Sequence, residues 1–137
     1  MEYSAKGLRV VVTAGAAGIG RAIARTFAEH GARVHICDVD DAALKESASL
    51  LPQVTQTRAD VAEVADVERL FREAKQRLGG LDVLVNNAGI AGPTARVEDI
   101  RTEDWDRCIA VDLNGMFYCT RQAMPLIKAG SVRPLVA

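Results

Sequence analysis

Leu8-Arg9-Val10-Val11-Val12-Thr13 is a short β-branched run that ends in glycines at 15, 18 and 20, after which apolar residues return at helical spacing as Ile19, Ile23 and Phe27, up to His30. The order is strand, tight turn, helix, and it recurs along the chain. Gly31 stands where a helix C-terminal glycine belongs, Arg33-Val34-His35-Ile36-Cys37 reads as a second strand stopping at Asp38, and Asp41 to Leu51 is a weaker helix closed by Pro52. Val54 to Arg58 is a third strand. Val61 to Leu78 then carries Val64, Val67, Leu70, Phe71, Ala74 and Leu78 on one helical stripe, ended by Gly79-Gly80. Leu81-Asp82-Val83-Leu84-Val85 is a fourth strand with a polar, glycine-bearing exit, Asn86-Asn87-Ala88-Gly89. Alternation at this spacing implies parallel strands joined by right-handed crossovers. The predicted fold is an α/β doubly wound parallel sheet, in the order 3-2-1-4, with helices on both faces.

A long helix is predicted from about Thr102 to Lys128, with Trp105, Ile109, Leu113 and Phe117 at steps of four and Met116, Thr120 and Met124 beside them. Thr102, followed by Glu103 and Asp104, predicts a well-capped start, and Pro125 predicts a kink or an early end. A length of 137 residues suffices for one domain and is too short for two.

Composition removes several function classes. Seventeen Lys and Arg against 18 Asp and Glu leave a formal charge of −1 with no basic block, which gives no electrostatic reason for a nucleic-acid or anionic-membrane partner. No apolar run approaches the roughly 20 residues of a membrane span, and Met1-Glu2-Tyr3-Ser4-Ala5-Lys6 lacks the apolar segment of a signal peptide, so a cytoplasmic protein is expected. Cys37, Cys108 and Cys119 form no CxxC pair, and His30 and His35 lie in no metal-ligand spacing. No metal site is expected, and the three cysteines read as small buried apolar residues.

The chemistry-bearing residues lie at strand ends. Gly15, Gly18 and Gly20, between a strand and a helix, form a phosphate-binding turn: without Cβ atoms the backbone can approach a pyrophosphate, whose charge meets the helix N-terminus. Glycines also make ordinary turns, and it is the place after the first strand that favours the functional reading. Asp38 ends the second strand, eighteen residues beyond Gly20, close to the spacing of roughly 20 at which a carboxylate accepts hydrogen bonds from an adenosine ribose. A carboxylate there favours NAD and would repel the 2′-phosphate of NADP. A capping or loop aspartate is the alternative, because Asp40 and Asp41 follow directly.

These residues resemble the short-chain dehydrogenase/reductase family, which uses NAD or NADP on a Rossmann-type sheet. Val12-Thr13-Ala14-Gly15-Ala16-Ala17-Gly18-Ile19-Gly20 looks like the family's T-G-x-x-x-G-x-G, Asp60-Val61 like its adenine-contacting aspartate, and Asn86-Asn87-Ala88-Gly89 like its N-N-A-G. The resemblance covers about residues 7 to 129. It implies Gly18, Ile19 and Gly20 at the pyrophosphate, Asp38 at the ribose, Asp60 and Val61 at the adenine, and Asn86, Ala88 and Gly89 along the cofactor. It also implies that Asn87 ties neighbouring strands and that Asn114 holds the proton-relay position of the long helix. Ala14 replaces the first glycine of the motif, and the turn is expected to survive with the glycine shifted to Gly15.

One departure from the family is large. Its Tyr-x-x-x-Lys and catalytic serine have no counterpart: Tyr3 and Tyr118 are followed four residues on by Gly7 and Gln122. Ser131 precedes any fifth strand and Pro134 suits a central strand poorly, so the tail reads as a divergent ending. Residues 1–137 are thus read as a single, incomplete dinucleotide-binding domain, truncated after about four strands and a long helix. The resemblance implies an NAD-dependent oxidoreductase that moves a hydride between a nicotinamide and a secondary alcohol or ketone, here in a truncated or remnant form retaining the nucleotide-binding half. The alternative is a non-catalytic nucleotide-binding module, or an interaction module forming a homo-oligomer through the 102–128 helix.

Overall fold

The computed structural model describes residues 3–130, which form β1 (Arg9–Thr13), α1 (Gly18–Glu29), β2 (Arg33–Asp38), α2 (Asp41–Leu50), β3 (Thr55–Arg58), α3 (Val64–Leu78), β4 (Val83–Val85), α4 (Thr102–Ile109) and α5 (Gly115–Ala129). The expectations placed on Ser131 and Pro134 lie outside the described residues. The four strands form one parallel sheet in the order β3-β2-β1-β4, the order expected by analogy with doubly wound folds. β1 is central, and its side chains alternate between two cores. Val10 and Val12 join Ala24, Val34, Ile36, Leu44 and Val54 under α1 and α2, whereas Val11 joins Val67, Leu70, Phe71, Val111 and Cys119 under α3 and α5. A strand covered on both faces has no polar side to show, which is why its sequence runs unbroken through three valines.

Several boundaries and faces differ from the sequence reading. α3 starts at Val64, and Val61 lies in the turn before it, buried but outside the helix. Val64 and Ile19, each first on its apolar stripe and each in the first helical turn, are exposed, Ile19 at 76%. Thr102 is not a cap: Arg101 holds the N-cap position without a side-chain cap bond, and its guanidinium pairs with Asp104 one turn in. Pro125 does not end α5, which continues to Ala129. Of the cysteines, Cys37 and Cys119 are buried and Cys108 is only half-buried.

The predicted long helix is helical from Thr102 to Ala129 but not uniform. α4 and α5 are joined by a π turn at Ala110–Asn114. Steps of four nonetheless hold one face through it, and the predicted apolar stripe is the outward one. The line that meets the core is Val111, Gly115, Cys119 and Ala123, all buried, while Trp105, Leu113, Met116 and Phe117 face outward. Small residues hold the inner line because α5 lies very close to the turn before α3: a Cβ on Gly115 would stand 2.7 Å from Val61 Cγ2.

Candidate functional site

The C-terminal ends of β1, β2 and β4 and the exit of β3 surround a cleft of about 200 Å³, lined by Ala14, Asp38, Asp60, Val61, Ala88, Gly89 and Arg107 among others. Open parallel sheets place ligands at this edge, where the strand order reverses about β1. Five of the residues singled out in the sequence, Asp38, Asp60, Val61, Ala88 and Gly89, meet here. Gly15, Gly18, Ile19 and Gly20 form the adjoining β1–α1 turn, and Asn86 borders a small neighbouring recess, its Nδ2 donating to Thr120 Oγ1 at 3.2 Å.

The glycines of the turn have different work. Ala14, not Gly15, takes the left-handed backbone, with φ +49°, so the motif's missing glycine is not shifted; Ala14 itself adopts the conformation at a cost of about 1 kcal/mol. Gly15 is required for proximity instead: a Cβ there would lie 2.6 Å from Ile36 Cγ2 on β2. Gly20 likewise lets α1 close on β1 and β4, since a Cβ would overlap the Ala14 carbonyl oxygen and stand 2.5 Å from Asn87 Nδ2. Gly18 is different, with φ +54° and nothing within 4 Å of a built Cβ. It opens onto free space at the start of α1, where the N-cap Ala17 offers no side-chain acceptor and the first turn holds no acidic residue. No capping side chain therefore meets the N-terminal N–H groups of α1.

Asparagine 87 joins the strand ends. Its Nδ2 donates to the carbonyls of Thr13 and Ala14 at 3.1 and 3.2 Å, and its own N–H donates to Thr13 Oγ1 at 3.0 Å, as does the N–H of Ala88 at 2.9 Å. Thr13, overlooked in the sequence because it closes an apolar strand, is the hydroxyl hub of this join.

The two cleft carboxylates are held by the backbone. Asp38 Oδ2 accepts from the Ala16 N–H at 3.2 Å and Oδ1 from the Asp40 N–H at 3.2 Å, which fixes its side chain beside the glycine turn. Asp60 Oδ1 accepts from the Ala62 N–H at 2.9 Å, and Oδ2 pairs with Arg107 Nη2 of α4 at 2.9 Å. Below them Cys37 is pushed up to about 12 by burial, with the charges of Asp38 and Asp60 acting in the same direction, so it remains a thiol. Arg107 carries no local sequence signal. It reaches the site only because α4 crosses the exit of β3.

In the π turn, Asp112 is the residue that touches the β4 exit loop: its Oδ1 accepts from the Ile90 N–H at 2.8 Å and lies beside Gly89. Asn114, two residues on, is half-buried on another side of the helix. Among the described residues no cluster of three or more His, Cys, Asp or Glu side chains is placed to hold a metal ion, and no helix is long and apolar enough to cross a membrane.

Comparison with known proteins gives the same architecture a lineage. The model of the short chain dehydrogenase family matches residues 9–133. An uncharacterized oxidoreductase of Thermotoga maritima is 39% identical over 130 residues, covering 91% of this chain and 50% of that protein. A short chain dehydrogenase/reductase of Macrophomina phaseolina is 37% identical, covering 86% of this chain and 70% of that protein. Among solved structures, 3-ketoacyl-(acyl-carrier-protein) reductase from Brucella melitensis, complexed with NADH, superposes with a TM-score of 0.88 at 32% identity over 92% of this chain and 52% of its own. The chain thus spans about half the length of most of the relatives it matches. With a family model matched over nearly its whole length and a sheet ordered about the same switch point, this chain belongs to the short-chain dehydrogenase family.

Proposed function

We propose that the chain is the cofactor-binding half of an oxidoreductase, binding NAD with its adenosine in the cleft and its pyrophosphate at the start of α1. The observation that carries this reading is the pairing of an open, uncapped helix N-terminus at Gly18 with a carboxylate, Asp38, fixed at the end of β2. The same two features fit the group chemically: the exposed N–H groups suit two phosphates, and the carboxylate suits two ribose hydroxyls. Gly18, Ile19 and Gly20 would face the pyrophosphate, Asp38 the ribose, Asp60 and Val61 the adenine, and Asn86, Ala88 and Gly89 the remainder. The bound cofactor supplies hydride chemistry with a secondary alcohol or ketone, and the chain's residues bind and orient it. Three free cysteines, two of them buried, suit a reducing, cytoplasmic setting.

Titration by calorimetry tests the cofactor: NADH should bind more tightly than NADPH, and Asp38→Ala should narrow the gap. Equal affinities in the parent chain would overturn the assignment. Turnover is a separate matter. The chain contains no Tyr-x-x-x-Lys, so no positioned acid is present to supply the factor of roughly 10² to 10⁴ that such a group contributes. NADH absorbance with secondary alcohols and ketones should stay flat for these 137 residues. The relay role carried to Asn114 by resemblance gains no contact in its favour. Asp112, tied to Ile90, is the better placed residue of that turn, and Asp112→Ala should weaken NADH binding more than Asn114→Ala.

A second reading, association through α4 and α5, is favoured by one observation: Trp105, Leu113, Met116 and Phe117 are all exposed along one side. Light scattering showing a monomer at high concentration would exclude it.

A further inference from the structure

We infer that Arg107 is a positioning residue for adenine recognition, holding the Asp60 carboxylate from the far side of the cleft so that the base is read by a fixed acceptor. This rests on the NAD reading above. Asp60 is anchored at every polar atom by a different partner. Its N–H donates to Asp66 Oδ2 at 2.9 Å, its Oδ1 accepts from Ala62, and its Oδ2 meets Arg107. Asp66 is itself paired with Arg69 at 3.3 Å, so the backbone of the β3 exit is anchored to α3. Arg107 alone comes from α4, and it alone both touches the carboxylate and lines the cleft.

The chemistry of that arrangement is selective. Each carboxylate oxygen has two lone-pair directions, and one contact per oxygen leaves acceptor capacity directed at the cleft. An exocyclic amine, as on adenine, donates into it. The keto oxygen of hypoxanthine in the same place would oppose it, and the penalty depends on the carboxylate being unable to turn away. Charge also matters, because Asp38 and Asp60 line one small cleft that must admit a dianionic pyrophosphate ester nearby. The guanidinium offsets one of the two negative charges without occupying the acceptor direction.

The test compares NAD with nicotinamide hypoxanthine dinucleotide on the purified chain, its Arg107→Met variant and its Arg107→Lys variant, by calorimetry. The parent chain should prefer the adenine cofactor, Arg107→Met should lose that preference by on the order of tenfold, and Arg107→Lys should keep part of it. Thermal melting should be nearly unchanged in both variants, since the Arg107 side chain is half-exposed and Asp60 keeps its bond from Ala62, so the preference ratio separates positioning from folding. Unchanged preference in Arg107→Met, with NAD still bound by the parent chain, would overturn the role of Arg107 and leave the NAD reading intact. Absence of NAD binding by the parent chain would overturn both.

Discussion

Asn87 donates twice to Thr13: its backbone N–H to the Thr13 hydroxyl at 3.0 Å and its side-chain amide to the Thr13 carbonyl at 3.1 Å. The pair fastens the exit of β4 to the end of β1 and reaches on to the Ala14 carbonyl. Thr13→Val keeps the shape but removes the acceptor of the Ala88 N–H, while the Asn87 N–H keeps the Val85 carbonyl at 3.0 Å. It should cost about 1 to 3 kcal/mol in urea unfolding, the penalty of one donor left without a partner. Equal stability of Thr13→Val and the parent chain would remove the hub role.

Ala14 and Gly20 respond in opposite directions. Ala14→Gly relieves a left-handed alanine and should stabilise the chain by up to about 1 kcal/mol, the excess of that strain over glycine's added chain entropy. Gly20→Ala forces a methyl group onto the Ala14 carbonyl and should destabilise it by several times as much. Thermal melting of the two variants checks the sign of each.

His35 supplies a pH dependence remote from the cleft. It is fully buried on β2 between Thr55 Oγ1 at 2.6 Å and Thr57 Oγ1 at 2.8 Å, and Thr57 in turn donates to the Glu73 carboxylate. That chain of donors assigns the proton to Nε2 and leaves Nδ1 accepting from Thr55, so the neutral ring is the one the network satisfies. Burial lowers His35 from 6.5 to about 4, against the nearby charge of Glu73, which favours protonation, while Arg77 opposes it. The folded state therefore resists a proton that the unfolded chain accepts. Stability is full above pH 6.5 and falls as the pH drops from 6.5 towards 4, by about 3 kcal/mol. Urea midpoints measured at intervals over this range should show the slope in the parent chain and lose it in His35→Gln.

The thiols should react in a fixed order. Cys37 and Cys119 are buried, and burial pushes both up to about 12, whereas Cys108 is half-buried, with its Sγ close to Gly92. An aromatic disulfide reagent should label Cys108 in the native chain and reach the other two only after unfolding. Fast native labelling of three thiols would contradict the packing of α5.

How far the sequence reveals this molecule depends on how local each determinant is. The parallel sheet follows from alternation and its order from analogy with doubly wound folds, whereas Asp38 is legible from its strand end and Asp60 from the family resemblance. Arg107 and Asp112 were hidden because their partners lie 47 and 22 residues away and nothing near them marks the contact. The stripe of Trp105, Leu113 and Phe117 was legible as spacing but not in the direction it faces, because an apolar stripe suits a partner surface as well as the sheet. Ile19 shows the same, since its spacing is helical and yet its side chain is exposed. The π turn leaves no mark in composition.

The central place of β1 sets an order of events during synthesis. Its partner β2 follows almost at once, through Val10↔Val34 and Val12↔Ile36, but its other partner β4 and the Asn87 bond to Thr13 lie 74 residues downstream. A growing chain can close the first pairing early, while the second waits for most of the chain to emerge and for a slower, long-range search. Until then the glycine turn lacks its tether, and a ribosome-bound chain halted before Asn87 should display the β1–β2 unit to chaperones without a formed nucleotide cleft.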